Sequence, residues 1–351
     1  MKKHKRYEKI ALLRNINLVF ARWTIQNIGI ALQSPVECLR SFFAISSIIR
    51  TMRTRRDEID LQFPGEPAIH FVYGFKQTEK FPVYALIAIE SARRLHPKSP
   101  ILFYCLHEPY GKYWEFMKGR LIIVKLPNFS HYGPSQINHY AHKADVVRLL
   151  ALRELGGIYL DIDTICVRSF APLLEHEFVM GVQISSISCV GGLCNATMVS
   201  KRNARFVRRW LRYYNGFRSK GRDKLWDLHS VKLPWLLQIA FPADIKVLTF
   251  YSFFFPLWSR VKEAMFTPGS ASENIELFAE SYSVHLWNNF TGEFLDSLEA
   301  SDLSDHKDWL YTQFAGVELV DKLVRGEASD APSSVKAIQR LPSNARGEFV
   351  C

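Results

Sequence analysis

Short apolar runs alternate with segments of helical spacing between Ala68 and Asp163. The apolar runs have the length and composition of buried strands, and the segments between them place apolar residues on one helical face. Strands that alternate with helices favour an α/β domain with a mainly parallel central sheet. The predicted strands are Ala68–Gly74, Ile101–Cys105, Leu121–Leu126 and Ile158–Asp163, and the predicted helices are Phe81–His96 and His139–Leu155, the second ending at Gly156 and Gly157.

Three segments of different character divide the chain. Residues 1–62 are basic and predict two helical stretches, Ile10–Ala31 and Pro35–Met52, before the breaker Phe63–Pro67. Apolar and basic residues on such helices fit either a membrane-surface anchor or a helical cap packed on the main domain. The α/β domain is expected over residues 63–319, and residues 320–351 predict a polar C-terminal tail.

The composition indicates which partners the chain can bind and which compartment suits it. The 351 residues carry a formal net charge of +11, which favours acidic partners such as donor phosphates or anionic lipid. No RNP-like run or recognition helix occurs, so we expect no nucleic-acid partner. Six cysteines in a chain this long do not make a disulfide scaffold, so a reducing cytosol is the simplest setting, and their spacing does not favour a structural zinc site. No stretch of about 18 residues is free of charge, so no membrane-spanning helix is expected.

The most informative stretch is HKADVVRLLALRELGGIYLDIDT, residues 142–164. If Ile158–Asp163 is one strand, its alternation places Tyr159, Asp161 and Asp163 on the same side. Carboxylates near the carboxyl end of a strand lie where α/β sheets bind ligands, and they repel each other unless a cation or a proton intervenes. A hard divalent ion bound to carboxylate and diphosphate oxygens would relieve that repulsion. A strand that runs into an exposed acidic loop gives the same short motif.

The helix before this strand carries His142, Asp145 and Arg148 among apolar residues. Because the helix is apolar almost all round, these polar side chains are expected to be buried. Buried charges are costly unless they are paired or bound to a ligand. Asp145 and Arg148 therefore form an i, i+3 ion pair, hold a polar ligand, or do both.

This stretch resembles the DxD core of glycosyltransferase family 32, the sugar-binding region containing a DXD motif. The similarity extends from about Ala68 to Asn289 and leaves out residues 1–62. It implies a GT-A-type nucleotide-sugar-binding domain, a nucleotide-sugar donor, Mn²⁺ or Mg²⁺, and retention of the anomeric configuration. The residues that match the pattern HxADxxRxxxLxxxGGxYxDxD are His142, Ala144, Asp145, Arg148, Leu152, Gly156, Gly157, Tyr159, Asp161 and Asp163.

The resemblance also implies residue roles. Asp163 would bind the metal, and Asp161 would lie near the ribose and sugar. The segment SVHLWNN resembles the family's late HxW element, where His285 is either a third metal ligand or a core histidine. The candidate catalytic residues are Asp161 and Asp163, which with His285 are also the candidate metal ligands; the candidate donor-binding residues are His142, Asp145, Arg148, Tyr159, Asn195, Trp287 and Asn288.

These observations predict a metal-dependent glycosyltransferase that acts on a saccharide or glycolipid acceptor, in bacterial surface polysaccharide or glycolipid synthesis. The expected location is the cytoplasm, with peripheral contact at the inner face of the cell membrane through the N-terminal segment. One alternative is a haloacid-dehalogenase-like phosphatase that uses LDIDT, although that motif usually opens its fold and here follows three predicted strands. The other alternative is a non-catalytic binding protein on a degenerate transferase fold.

Overall fold

The computed structural model describes residues 2–186, 189–327, 335, 336 and 338. Its centre is a seven-stranded sheet, and two two-stranded sheets lie beside it. The strands are β1 (Ile69–Val72), β2 (Ile101–Cys105), β3 (Ile122–Lys125), β4 (His131–Tyr132), β5 (Ser135–Gln136), β6 (Gly157–Leu160), β7 (Thr164–Cys166), β8 (Phe178–Ser186), β9 (Cys189–Ser200), β10 (Lys246–Leu248) and β11 (Ser283–His285).

Helices surround the sheet. The longest two form the N-terminal extension, and the helix that carries His142, Asp145 and Arg148 precedes β6. The helices are α1 (Lys2–Ala31), α2 (Pro35–Gln62), α3 (Val83–Leu95), α4 (Lys112–Met117), α5 (Tyr140–Glu154), α6 (Arg205–Tyr213), α7 (Leu233–Ala240), α8 (Phe250–Phe253), α9 (Val261–Met265), α10 (Ser270–Asn274), α11 (Asn288–Ser297), α12 (Ala300–Asp305), α13 (Leu310–Ala315) and α14 (Val317–Arg325).

The large sheet has the strand order β10-β8-β9-β6-β1-β2-β3. Its neighbouring strands pair in parallel except at β9, which is antiparallel to both β6 and β8. Each face of the sheet has its own apolar core, because alternate residues of a strand point to opposite faces. The α/β prediction with a mainly parallel sheet is therefore confirmed.

The passage from α5 into β6 depends on two glycines. Gly156 and Gly157 have φ of +72° and +93°, a region that disfavours residues with a Cβ. A Cβ at Gly157 would also collide with the carbonyl oxygen of Ala68. The predicted helix end at these glycines is correct, and the tight turn brings β6 beside β1 directly after α5.

The N-terminal extension packs on the α/β domain. From α1, Ile16 and Phe20 enter the core on one face of the sheet, and Ile48 and Met52 of α2 enter the same core. The buried Asn27 ties α1 down, since its amide donates hydrogen bonds to Ser135 Oγ (2.9 Å) and to the Phe217 carbonyl (3.0 Å). This packing agrees with the helical-cap interpretation of residues 1–62.

Two predicted boundaries are wrong. We predicted that α2 ends near Met52, but it continues to Gln62, because arginine is a good helix former and Arg53 pairs with Glu154 at 2.8 Å. The boundary at 319/320 falls inside α14, where Val320 is buried against the core. Of the predicted tail, residues 328–334, 337 and 339–351 lie outside the described residues, whereas Val335 and Ile338 are buried.

Among the described residues, no single helix is long and apolar enough to span a membrane. Residues 10–31 and 35–62 reach the length and apolar composition of a membrane span only when the two helices are taken together, and these helices are bent by 115° relative to each other.

Replacing Met52 with alanine should lower the free energy of unfolding by about 2–5 kcal/mol, because it leaves a cavity in a closed part of the core. Urea denaturation measures the change. The control is Leu39→Ala on the same helix, where the side chain is 57% exposed and the expected change is within about 0.5 kcal/mol. Equal stability of the two variants would contradict the packing of α2 on the domain.

Candidate functional site

A turn at the end of β6 brings the two aspartates together. The strand ends at Leu160, and the Asp161 N–H donates to the Ala196 carbonyl of β9 at 2.8 Å. The Thr164 N–H then donates to the Asp161 carbonyl at 3.0 Å, which closes the turn before β7. The prediction that Ile158–Asp163 is one continuous strand with both carboxylates on one side is therefore wrong. The carboxylates meet because both lie in this turn, whereas strand alternation does not place them together.

A third side chain completes the group. His285 lies on β11, directly opposite Thr164 in the antiparallel β7–β11 pair. Ligand atoms of Asp161, Asp163 and His285 all lie within 4.8 Å of one another, and His285 Nε2 is 3.3 Å from Asp163 Oδ1. Two carboxylates and one imidazole within this distance can coordinate a divalent cation, so the donor set fits a metal site.

Neighbouring charges and burial together determine the pKa values of Asp161, Asp163 and His285. Burial raises the pKa of Asp163, but the nearby His285 and the backbone N–H of Asn288 outweigh burial and hold it below its usual value. Burial acts on the pKa of His285 in the opposite direction, and Asp163 more than reverses it, so the pKa is raised. For Asp161, burial dominates and the pKa is raised in spite of Arg148. Asp163 is thus the better stabilised carboxylate.

The N-terminus of α11 points at Asp163. The Asn288 N–H, at the first residue of that helix, donates to Asp163 Oδ2 at 2.7 Å, where the helix end favours negative charge. Trp287 makes this possible, because it takes a left-handed backbone conformation and its indole donates to the Pro256 carbonyl at 2.9 Å. Asn288 Nδ2 donates to the Tyr84 hydroxyl at 3.0 Å. Both residues hold the loop beside Asp163.

Helix α5 supplies the other wall of the site. Arg148 is buried, donates to the Asn195 carbonyl (2.9 Å) and lies 3.0 Å from Asp161 Oδ1. Asp145 accepts a hydrogen bond from Asn195 Nδ2 (2.7 Å) and lies 3.6 Å from Arg148 Nη2. The Tyr159 hydroxyl donates to Asp161 Oδ1 (2.7 Å), and its ring lies 4.5 Å from the guanidinium carbon. These contacts fix the guanidinium against the first aspartate.

His142 extends this network away from Asp161, Asp163 and His285, the candidate metal ligands that we call the metal group. Its Nδ1 lies 3.4 Å from Asp145 Oδ2, and its Nε2 lies 3.0 Å from Ser219 Oγ. Ser219, together with the Trp226 ring that packs on His142, was not predicted from the sequence. Neither lies in a recognisable motif, so no sequence signal identifies them. The ten predicted site residues therefore form one connected cluster, in which His142 orients Asp145.

Two nitrogen atoms of this cluster lack a hydrogen-bond partner in the described part of the chain. They are Arg148 Nε and His285 Nδ1, and both are buried. Buried polar groups in proteins are normally satisfied, so exceptions need an explanation. Partners supplied by a polar ligand would satisfy such donors, and the position of the cluster at the carboxyl end of β6 agrees with ligand binding there.

The Tyr159 hydroxyl should tune metal binding. Its hydrogen bond favours the charged form of Asp161 and lowers the pKa of that carboxyl. In Tyr159→Phe the pKa rises further, so protons compete with the cation up to a higher pH, and the acid limb of metal binding moves to higher pH. Calorimetric titration with Mn²⁺ across a pH series measures this shift. Tyr104→Phe, which removes a buried hydroxyl bonded to His70, is the control, and an unmoved acid limb in Tyr159→Phe would contradict the assignment.

Comparison with known proteins agrees with this geometry. The family described as "Glycosyltransferase sugar-binding region containing DXD motif" matches residues 82–180. "Glucan organizing enzyme 1" of Cryptococcus neoformans var. grubii is 35% identical over 258 residues, which cover 68% of this chain and 67% of that protein.

Among solved structures, "PaToxG Glycosyltransferase" has 16% identity and a TM-score of 0.35, with 80% of this chain and 97% of that chain covered. The galactosyltransferase LgtC in complex with donor and acceptor sugar analogs has 14% identity and a TM-score of 0.35, with 77% and 99% covered.

The family match runs from the start of α3 through the DxD turn into β8, and it includes His142, Asp145, Arg148, Tyr159, Asp161 and Asp163. Asn195, His285, Trp287 and Asn288 lie outside the matched residues. The match leaves no support for the phosphatase interpretation of LDIDT. The GT-A architecture that the resemblance implies agrees with the mainly parallel sheet and with the DxD turn at the end of β6. By this match and by its 35% identity to a relative of which it covers 67%, the chain belongs to the glycosyltransferases with a DXD-containing sugar-binding region, and it is an enzyme of that class.

Proposed function

We propose that this glycosyltransferase moves a sugar from a nucleotide-sugar donor to a saccharide or glycolipid acceptor, with Mn²⁺ or Mg²⁺ held by Asp161, Asp163 and His285. The observation that carries the proposal is the convergence of these three side chains within 4.8 Å, with the buried Arg148 beside them. Two carboxylates favour hard cations such as Mg²⁺ or Mn²⁺. Retention of the anomeric configuration is proposed on the family's pattern.

The side chains around the metal group suit a negatively charged leaving group. A bound cation would neutralise charge that develops on the departing nucleoside diphosphate. Arg148 presents a guanidinium that Asn195 and Asp161 already hold in place, so little reorganisation is needed when that charge develops. Asp145, His142 and Asn195 are proposed to bind the donor sugar or diphosphate next to this group.

A panel of nucleotide-sugars tests the function. Each donor is incubated with the protein and Mn²⁺, Mg²⁺ or chelator, and the release of nucleoside diphosphate is measured by chromatography. At least one donor should be hydrolysed or transferred, and chelation should abolish the reaction. A donor turned over equally well after exhaustive chelation would exclude the metal-dependent mechanism, and the anomeric configuration of the product, determined by NMR, tests retention.

Asp163→Asn should reduce transferase activity at least about a hundredfold, because it removes one charged ligand while several kcal/mol of leaving-group stabilisation depend on the cation. The amide oxygen can still accept the Asn288 N–H, so the fold should remain. Calorimetry with Mn²⁺ should show weakened binding. Asp305→Asn, an exposed carboxylate on α12, is the matched control. Full turnover by folded Asp163→Asn would show that this residue does not hold an essential metal.

We further propose that the enzyme is cytoplasmic and contacts the inner face of the cell membrane through α1 and α2. The faces of both helices that point away from the domain are apolar and exposed, and a membrane-borne acceptor would make that location useful. No Asp or Glu occurs between Lys9 and Val36, whereas Arg14 and Arg22 are exposed there. Exposed apolar residues of this surface are Leu18, Val19, Ile25, Ile28, Ile30, Leu32, Val36, Leu39, Phe42 and Phe43.

The double variant Ile25→Glu/Phe43→Glu should lose binding to anionic vesicles in a flotation assay and keep donor hydrolysis. Both side chains are more than half exposed, at 69% and 55%, so the fold should tolerate the change. This variant is sharper than deletion of residues 1–60, which would also uncover the core beneath Met52. If the double variant binds vesicles as the wild type does, this surface does not contact the membrane.

A further inference from the structure

An open cavity of about 570 Å³ lies at the end of α5 away from the metal group. Arg153, in the last turn of α5, lines it, whereas the donor-site residues His142 and Arg148 lie earlier on the same helix. The lining is dominated by guanidinium groups and comes from α2, α5 and the loop after β9. The residues that line this cavity are Arg53, Arg56, Arg153, Glu154, Arg202 and Asn203.

A second cavity of about 250 Å³ shares Arg153 with the first and adds Arg208 and Arg212 of α6. The two arginines are four residues apart and therefore lie on the same face of that helix. We refer to the two cavities together as the arginine cleft, defined by Arg53, Arg56, Arg153, Arg202, Arg208 and Arg212.

The cleft lies between the two arms of the N-terminal extension. On one side, α1 is joined to the end of α6 by a hydrogen bond from the Tyr213 hydroxyl to Asn17 at 2.7 Å. On the other side, α2 is joined to α5 by the Arg53–Glu154 ion pair and to the loop after β9 by the Arg202–Asp60 ion pair at 3.0 Å. Both helices of the proposed membrane contact are therefore attached to elements that line the cleft.

Positive charge in the cleft exceeds the negative charge that accompanies it. Arg53 and Arg153 share one carboxylate, that of Glu154, at 2.8 and 2.6 Å. Arg202 pairs with Asp60, and Arg56 pairs with its neighbour Asp57.

Arg208 and Arg212 add two more positive charges to the cleft. Both are exposed, and neither forms an ion pair within the described ranges. Six guanidinium groups thus share three ion-paired carboxylates, and the two that form no ion pair lie on the same face of α6. A planar guanidinium binds phosphate or carboxylate oxygens through two parallel hydrogen bonds, and the excess positive charge favours a dianionic phosphate over a singly charged carboxylate.

We propose that the arginine cleft binds the phosphomonoester of an anionic lipid headgroup and so orients the enzyme on the membrane. The proposal rests on the proposed membrane contact and adds the headgroup that the contact selects. Two features favour a lipid over a soluble phosphate. The cleft is open to solvent, and two of its arginines, Arg53 and Arg56, lie on α2, whose exposed Val36, Leu39, Phe42 and Phe43 belong to the proposed membrane contact. A dianionic phosphomonoester matches the excess charge better than a phosphodiester does.

The test uses the full chain and the double variant Arg208→Gln/Arg212→Gln. Neither arginine forms an ion pair within the described ranges, and Glu177, the carboxylate near Arg208, keeps its ion pair with Arg205, so the melting temperature and donor hydrolysis should not change. Flotation is measured with vesicles of phosphatidylcholine alone, with phosphatidylserine, and with phosphatidic acid at equal surface charge. The wild type should prefer phosphatidic acid, and the variant should bind those vesicles about thirtyfold more weakly while its binding to phosphatidylserine falls less.

A matched control removes the same charge elsewhere. The double variant Arg260→Gln/Lys262→Gln should bind vesicles as the wild type does, because these residues lie at α9, which packs in the core on the other face of the sheet. Competition with inorganic phosphate and with glycerol 3-phosphate separates a lipid site from a soluble one. If these compounds bind the cleft as tightly as the vesicles do, or if the wild type shows no preference for phosphatidic acid over phosphatidylserine, the proposal is overturned.

The two proposals fail in different ways. If the wild type binds none of the vesicles, the membrane contact and the headgroup site are both overturned. Vesicle binding that depends on Ile25 and Phe43 but is unchanged in Arg208→Gln/Arg212→Gln would overturn the headgroup site alone. Donor hydrolysis, measured in the same preparations, reports on the transferase function independently of both.

Discussion

The site depends on relieving the repulsion between two carboxylates at the end of one strand, of which Asp163 is buried and Asp161 is half-buried. Asp161 and Asp163 lie close enough to share a cation, and each would be costly to bury unpaired. Compensation arrives from separate parts of the chain: Arg148 lies beside Asp161, His285 beside Asp163, and the first N–H of α11 also points at Asp163. The elements that surround β6 are positioned so that these partners reach it.

Helix α5 links the site to the rest of the molecule. Its N-terminal half presents His142, Asp145 and Arg148 to the donor side, and its last turn presents Arg153 and Glu154 to the N-terminal extension. One rigid helix therefore joins the candidate donor site to the arginine cleft. A contact made at the cleft fixes the direction in which the donor site faces, because the two ends of a helix cannot reorient independently.

The N-terminal extension combines two properties that the sequence left as alternatives. Its inner faces pack Ile16, Phe20, Ile48 and Met52 into the core, which makes it a cap. Its outer faces are apolar and basic, which is the character expected of a membrane-surface helix. A helix has room for both, since residues half a turn apart face opposite directions.

The sequence by itself determined the α/β class, the helix end at Gly156 and Gly157, and ten of the residues that form the site. These features are local: hydrophobic periodicity, glycine conformation and a long spaced motif are written in contiguous residues. It did not determine how Asp161 and Asp163 meet, since they lie in a turn after Leu160 that is closed by the hydrogen bond from the Thr164 N–H to the Asp161 carbonyl.

The tertiary structure decided the contacts between distant residues. Ser219 beside His142, Tyr84 beside Asn288, and Arg53 beside Glu154 join positions far apart in the chain, and no local pattern encodes such pairs. The arginine cleft is the clearest case. Its six arginines are unremarkable in the sequence, and they form one surface only because α2, α5 and α6 pack side by side on the same face of the sheet.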